Sequence, residues 1–324
     1  SCLFAQFSHD GKYVITYDGS TDSHMNLVDL TTGNILRTLE RDNGLSTYSL
    51  VGDGTEQYAF IQRDYPTSDK DLGEDYLPGT VTYYNMTDGS VTDTIKPAWV
   101  EEHASVDLLG ITTDREHFIV RTTEKYDRVV KRINLRTNEE ENKWYLPDGY
   151  SNSYAMAEDG TFAVTINSDD QTLNKFAVSG DPEKDRQAVT SISINAAFST
   201  ELFISSDGKY VGVGYQDHSA EIYLAEDLTL VRSFDSLDYT PDAMGLSDNG
   251  YYLHVTLGAY FMDDELNLKC WVGGFKELLP GGKEAYVTGT YGDIFKTPLY
   301  SLKELIQQAH ALLDAKAEMT GNEE

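Results

Sequence analysis

A short phrase recurs along this chain, in which an Asp-Gly turn is followed by an aromatic residue and an apolar strand. The two clearest copies are residues 8–15, SHDGKYVI, and residues 206–213, SDGKYVGV. Looser copies surround Asp53, Asp114, Asp159, Asp248 and Gly281. A phrase that returns at a steady period indicates a fold built from repeated units, so this repeat constrains the architecture more than any other feature of the sequence.

The spacing of the turns is typical of the blades of a β-propeller. Successive turn aspartates are 43, 61, 45, 48 and 41 residues apart, and the glycine turn at Gly281 follows after 33. Propeller blades recur at about 40–50 residues. The sequence therefore predicts an all-β fold, a seven-bladed β-propeller over residues 1–300. The long second spacing indicates an insertion at residues 62–80, rich in carboxylates and turn formers.

The strands of one unit can be read from the alternation of apolar and polar residues. In the fifth unit they are predicted at residues 201–205, 210–215, 220–225 and 230–234. The seventh unit offers no fourth strand after residues 294–299. Because an open strand edge tends to pair, we expect a closing strand from residues upstream of Ser1 in a parent protein, or a helix that covers the edge.

Residues 301–324 form a second predicted region, a C-terminal amphipathic helix with a polar tail. Ser301 and Glu304 match a capping box. Apolar side chains then follow at helical spacing on one face: Leu302, Leu305, Ile306, Ala309, Leu312 and Leu313. The pattern predicts a helix over about residues 302–315.

The third strands carry a resemblance to WD repeats. Residues 27–33, LVDLTTG, resemble the end of such a blade, with Val28-Asp29 in place of the Trp-Asp pair, and residues 84–89 and 133–138 are similar. The Gly-His dipeptide and the Trp of well-formed WD repeats are absent, so the chain resembles a divergent member, and lactonase-like propellers share its Ser-Asp-Gly-Lys-Tyr phrase. Residues 298–320 resemble the C-terminal end of propellers in bacterial STAND-type multidomain signalling proteins. That resemblance implies an interaction or sensing module of a larger protein, and the first residue, Ser1 rather than Met, agrees with an excised or processed piece.

The charge balance excludes some classes of partner. The formal net charge is −29, from 25 Lys and Arg against 54 Asp and Glu. Nucleic acid requires a basic surface, and no apolar run is long enough to insert into a membrane. We expect a protein or basic peptide, or a small cationic ligand, as partner. The two cysteines imply no disulfide framework and fit a cytoplasmic location, with an extracellular location as the alternative.

No motif of known chemistry appears in the sequence. The seven histidines show no metal-ligand spacing, no nucleophile elbow is present, and no cofactor is predicted. His254 alternates within residues 251–256 and is interpreted as a packed strand residue. The sequence thus favours a non-catalytic module, while a lactonase-like or other hydrolase in the central funnel and a cell-surface binding module stay open as alternatives.

Tyrosines and carboxylates recur in the loops between the second and third strands, which share one face of a propeller. Tyrosine gives contact area with a polar tip, and carboxylates attract basic groups. We therefore predict a partner-binding face, although strand packing and turn formation would explain the same residues. Its members are Tyr17, Asp18, Asp22, His24, Tyr65, Asp75, Tyr76, Tyr126, Asp127, Tyr215, Asp217, His218, Tyr291 and Asp293.

Overall fold

The computed structural model describes most of the chain. The described residues are 4–7, 12–17, 24–40, 46–49, 57–62, 80–85, 90–95, 106–114, 116–124, 127–135, 137–147, 153–195, 199–247, 250–279, 283–288, 294–300, 304 and 307. They form 27 β-strands and one short helix, α1, Pro182–Asp185.

The strands follow one another in seven groups along the chain. The first three groups are β1 Phe4–Phe7, β2 Tyr13–Tyr17, β3 His24–Asp29 and β4 Ile35–Glu40; β5 Ser46–Ser49, β6 Gln57–Gln62, β7 Thr80–Asn85 and β8 Val91–Ile95; β9 Val106–Ile111, β10 His117–Glu124, β11 Asp127–Asn134 and β12 Glu140–Tyr145. The next two are β13 Tyr154–Met156, β14 Phe162–Asn167, β15 Thr172–Ala177 and β16 Ala188–Ser193; β17 Ser199–Ile204, β18 Tyr210–Tyr215, β19 Ala220–Leu224 and β20 Leu230–Phe234. The last two are β21 Pro241–Ser247, β22 Gly250–Val255, β23 Gly258–Met262 and β24 Leu268–Gly273; β25 Phe275–Leu278, β26 Glu284–Thr288 and β27 Ile294–Pro298.

The described residues form six complete blades, which corrects the predicted count of seven. Each blade is a four-stranded antiparallel meander in chain order, and the last sheet, β25–β26–β27, has three strands. The physical reason is the short last repeat, which supplies residues for an inner, a second and a third strand only. The source of a closing strand stays a prediction.

Apolar side chains between neighbouring sheets hold the propeller together. Trp144 and Phe176 lie between the third and fourth blades, and Phe234 and Leu253 lie between the fifth and sixth. Contact of Val14 with the apolar residues around Tyr286 joins the first blade to the three-stranded sheet. The blades therefore bury their faces against each other in sequence, as the repeat predicts.

The repeated turn is a hydrogen-bonded unit. At Asp207 the carboxylate accepts from the Ser205 hydroxyl at 2.6 Å and from the backbone N–H of Lys209 at 3.1 Å. Gly208 follows with φ +70°, a backbone conformation that favours glycine. Asp159-Gly160 repeats the geometry, with the N–H of residue 161 at 2.9 Å from the carboxylate. The local chemistry of the phrase thus explains why it marks each blade.

The aspartate at the position of the WD pair has a local role. Asp29 accepts hydrogen bonds from the backbone N–H groups of Thr31 at 2.7 Å and Thr32 at 3.2 Å, and Gly33 completes the turn at φ +71°. Asn134 takes the equivalent place in the third blade and accepts from Thr137 N–H at 3.0 Å. In both blades this position stabilises the turn between the third and fourth strands.

Two predicted segments lie outside the described residues. Of the helix predicted over residues 302–315, only positions 304 and 307 are described. The described elements therefore include no C-terminal helix. The predicted insertion falls in the gap after β6. Within the part that is described, no helix has the length and hydrophobicity needed to cross a bilayer.

Candidate functional site at the inner ends of two blades

The antiparallel meander gives the propeller two distinct faces. One face carries the Asp-Gly turns and the connections between third and fourth strands, and is called the turn face. The opposite face carries the connections between second and third strands and those between blades, and is called the loop face. The six predicted partner-binding residues that the structure describes lie in connections or at strand ends of the loop face.

Eight of the predicted partner-binding residues lie outside the described residues. These are Asp18, Asp22, Tyr65, Asp75, Tyr76, Tyr126, Tyr291 and Asp293. Tyr17 ends β2 and His24 begins β3, so both strand positions reach the loop face as predicted. The side-chain surroundings of the remaining four, Asp127, Tyr215, Asp217 and His218, are described.

Tyr215 is a core residue. Its side chain is 5% exposed and packs among the apolar residues between the fourth and fifth blades. Its hydroxyl donates to the Glu221 carboxylate, which also accepts from Tyr223 at 2.7 Å. Burial, and then the bond to Glu221, raises the pKa of Tyr215. This burial corrects the expectation that Tyr215 presents its ring to a partner.

The loop after Tyr215 is exposed and rigidly hydrogen-bonded. Asp217 accepts from the hydroxyl of Ser219 at 2.6 Å and from its N–H at 3.0 Å, which lowers the pKa of Asp217. His218 has φ +66°, and its Nδ1 lies 3.2 Å from the hydroxyl of Thr240 in the next loop. Asp217 and His218 thus lie at the surface of the loop face, where they were predicted.

Asp127 has a partner within the chain. It begins β11 and forms an ion pair with Arg186, which directly follows α1. Its carboxylate therefore connects the third blade to the outer part of the fourth. Because its charge is already paired, Asp127 is a structural residue in the described molecule rather than a free acceptor.

Three ionisable side chains, Glu201, Asp242 and His254, belong to strands at the loop-face end of the fifth and sixth blades, and we call them the inner cluster. Glu201 lies near the start of β17 and Asp242 near the start of β21, on neighbouring inner strands. The Nδ1 atom of His254, on β22, is 2.6 Å from Oδ1 of Asp242. The two side chains of this pair are 27% and 39% exposed. Solvent and ligands can therefore reach the cluster.

Backbone features of β18 and β21 create the inner cluster. Gly214 pairs with Glu201, and a Cβ at this position would lie 2.6 Å from the carbonyl oxygen of Pro241, so only glycine permits such close approach of the two blades. The Thr240 hydroxyl donates to the Tyr215 carbonyl at 3.0 Å across the same junction. Asp242 is the extra residue of a β-bulge between Pro241 and Ala243, a feature that redirects a side chain.

The inner cluster holds two carboxylates, one of which is bonded to the His254 imidazole. Partial burial, and then the charge of Asp242, raises the pKa of Glu201. Among the described residues, no Lys or Arg pairs with Glu201 or Asp242. Carboxylates on neighbouring inner strands, one of them bonded to an imidazole, offer acceptors to an ammonium or guanidinium group. Within the described ranges, no three His, Cys, Asp or Glu side chains are grouped to hold a metal ion.

A second group of ionisable side chains, on the turn face, has the opposite character. His117 is 6% exposed, and its ring lies 3.0 Å from Nη2 of Arg132 and 3.1 Å from Oε2 of Glu141. Arg132 also donates to the carbonyl of Glu158 in the next blade. Every charge in this group has a partner, so it stabilises the junction of two blades and leaves no free acceptor.

Sequence reasoning missed the inner cluster. Glu201 was assigned to an inner strand and His254 to strand packing, and Asp242 was not singled out. The three come from two repeats and from different strands, so no local motif joins them. Two signals were available in the sequence. Gly214 in β18 is a sign of close backbone approach, and the Thr-Pro-Asp sequence at 240–242 is a sign of an irregular strand.

No protein-family model matches the chain, and no curated protein matches it. Among solved structures, the β-propeller domain of Cps50 (Swd1) from Myceliophteria thermophila is similar, with a TM-score of 0.50 and 14% sequence identity. The match covers 79% of this chain and 80% of that chain. At this level of identity the similarity establishes the β-propeller fold alone.

Proposed function

We propose that this chain is a non-catalytic interaction module whose loop face binds a basic segment of a protein partner, with the inner cluster as the principal contact. The placement of Glu201 and Asp242 near the starts of neighbouring inner strands, with no Lys or Arg paired to either among the described residues, carries the proposal. Partial burial, and then the charge of Asp242, raises the pKa of Glu201, so the two carboxylates repel one another and this repulsion costs folding free energy. A bound Arg or Lys side chain would relieve it, which gives a reason for the arrangement.

The context of the module is also a proposal. The tail resemblance and the propeller fold support a place as the C-terminal part of a larger bacterial signalling protein in the cytoplasm. The complete coding sequence tests this, since we expect a nucleotide-binding signalling domain upstream. A secretion signal there would favour the extracellular alternative and a surface-binding module.

Calorimetric titration with a defined peptide tests the binding proposal. The probe is an eight-residue peptide of alternating glycine and arginine, and the double variant Glu201→Gln/Asp242→Asn removes two charges from the inner cluster. We expect the variant to weaken binding by about tenfold or more, because charge-assisted hydrogen bonds are lost. The matched control is Asp264→Asn/Glu265→Gln, which removes two exposed charges from the turn face. Equal affinity of the two double variants would contradict the proposal.

The Asp242–His254 pair favours a second candidate function, hydrolysis. A carboxylate bonded to Nδ1 orients an imidazole so that Nε2 can act as a general base. No serine or cysteine side chain is hydrogen-bonded to His254 in the described structure, so the base would have to activate water. Hydrolysis of lactone or ester substrates, lost in His254→Gln, would support this function over binding alone.

A further inference from the structure

A partly exposed aromatic group lies at the outer rim of the loop face, between the fifth and sixth blades. Trp271, on the outer strand β24, is 38% exposed and pairs across the strands with Tyr260. Its ring stacks with Tyr239 at a centroid distance of 6.1 Å and an interplanar angle of 23°, and lies 4.6 Å from the Tyr260 ring. Tyr239 belongs to the loop that joins the two blades.

Tyr260 fixes the loop of Tyr239 in position. Its hydroxyl accepts from the backbone N–H of Asp238 at 2.8 Å and donates to the Asp238 carboxylate at 3.1 Å. The loop also carries Asp235, and both aspartates are exposed. Within the described residues, neither carboxylate forms an ion pair. The rim therefore combines a stacked aromatic pair with two available negative charges, in a rigid arrangement.

Several other aromatic rings of this molecule are covered by a cation of the chain itself. Lys175 lies 4.9 Å from the Phe162 ring centroid, Lys209 lies 4.9 Å from that of Tyr210, and Lys143 lies 5.4 Å from that of Tyr145. Among the described residues, no Lys or Arg lies over Trp271 or Tyr239. These two rings differ from those three because no described cation lies over them, and Asp238 directly precedes Tyr239 in the same loop.

We propose that Asp235, Asp238, Tyr239 and Trp271, here called the rim site, bind an arginine side chain of the basic partner. A guanidinium plane stacks on an indole face and at the same time donates to a carboxylate, which suits this combination better than a lysine ammonium does. The inference rests on the proposed function and adds a second contact, at the outer rim rather than at the inner ends of the blades. Tryptophan and tyrosine are the residues that most often dominate binding energy at such positions.

Nuclear magnetic resonance of the tryptophan indole N–H groups tests the rim site in the intact chain. The probe is the same Gly-Arg peptide, and a Gly-citrulline peptide of equal length is the neutral control. We expect the Trp271 signal, assigned with Trp271→Phe, to shift and saturate with the Gly-Arg peptide only. Trp144 is an internal control, because its indole N–H is buried and donates to the Asp185 carbonyl at 3.1 Å.

Affinity measurements with two variants complete the test. We expect Trp271→Ala to weaken binding by about tenfold, the loss typical of an interface hot spot. The control Phe295→Ala removes an aromatic side chain that is 53% exposed on β27, in the three-stranded sheet and outside the rim site, and is expected to leave the affinity unchanged. Unchanged circular dichroism shows that both variants are folded.

The outcomes separate the two proposals. Binding that shifts Trp271 and is weakened by Trp271→Ala supports the rim site. Binding that does not shift the Trp271 indole signal overturns the rim site and leaves the proposed function unaffected. The same holds if Phe295→Ala weakens binding as much as Trp271→Ala does. Absence of any binding of the Gly-Arg peptide overturns both.

Discussion

At the residue scale, Asp207 shows how one carboxylate holds a blade turn. It accepts from Ser205, from the Lys209 N–H and from the Tyr251 hydroxyl of the next blade at 2.7 Å. Partial burial raises its pKa, but these hydrogen bonds outweigh that effect and lower the pKa overall. We expect Asp207→Ala to lower the free energy of unfolding by about 1–2 kcal/mol at pH 7.

The pH dependence of that loss follows from the lowered pKa. The contribution of Asp207 is complete above the pKa of the unfolded chain and is lost as pH falls through the folded-state pKa. The free energies of unfolding of wild type and Asp207→Ala, measured by urea denaturation, should therefore differ less at about pH 3 than at pH 7. The exposed Glu226→Ala serves as control, and a difference that grows in acid would refute the interpretation.

Glu201 should behave in the opposite way, because its folded-state pKa is raised. Its contribution to stability is complete below the unfolded pKa of about 4.3 and is lost as pH rises through the folded-state pKa. Glu201→Gln should consequently increase the melting temperature at pH 7, with the increase vanishing towards about pH 4. A variant that melts lower than the wild type at pH 7 would show that the Glu201 charge stabilises the fold, against our reading of the inner cluster.

At the scale of elements, Asp185 connects the third blade to α1. The residue is fully buried, and its carboxylate accepts from the Tyr145 N–H at 3.1 Å, the Ser179 N–H at 2.8 Å and the Ser179 hydroxyl at 2.7 Å. Asp185→Ala leaves these partly buried donors without their acceptor, so we expect a loss of about 1–3 kcal/mol in urea denaturation. Asp185→Asn keeps one carbonyl acceptor and should lose less free energy of unfolding. Equal losses in the two variants would contradict the role of the Asp185 carboxylate as acceptor.

At the junction of the fifth and sixth blades, Gly214 is the residue whose substitution we expect to disturb the packing. The atom that its Cβ would meet is a backbone oxygen, which cannot rotate away. We expect Gly214→Ala to destabilise the chain by about 1–3 kcal/mol and to weaken binding of the Gly-Arg peptide, because the strands of the inner cluster move apart. The control Gly110→Ala places a Cβ in open space on another inner strand, β9.

Sequence reasoning succeeded for elements whose geometry is local. The Asp-Gly phrase predicted the turn between the first and second strands of a blade because its hydrogen bonds lie within a few residues, as at Asp207 and Asp159. Helix α1 was missed although Asp181 caps it and Pro182 begins it, a signal present in the sequence. The inner cluster and the rim site could not be predicted, because the bulge at Asp242 and the stacking of Tyr239 on Trp271 depend on neighbouring blades.

At the scale of the whole molecule, the paired charges around His117 and the proposed binding sites lie on opposite faces of the propeller. The turn face holds paired charges, such as those around His117, and repeated turns. Among the described residues, the carboxylates of the inner cluster and of the rim on the loop face form no ion pair with a Lys or Arg. With a net charge of −29, the chain attracts basic partners over distance, and these two sites would determine where such a partner binds.

Hydrogen–deuterium exchange with and without the Gly-Arg peptide tests the central claim most directly, because it reports which face the partner covers. We predict slower exchange in residues 199–201, 215–219 and 235–243, which form the loop face between the fifth and sixth blades. Exchange in the turns at 205–210 and 263–267 should not change. Protection confined to those turns, with none in the loop-face segments, would contradict the account.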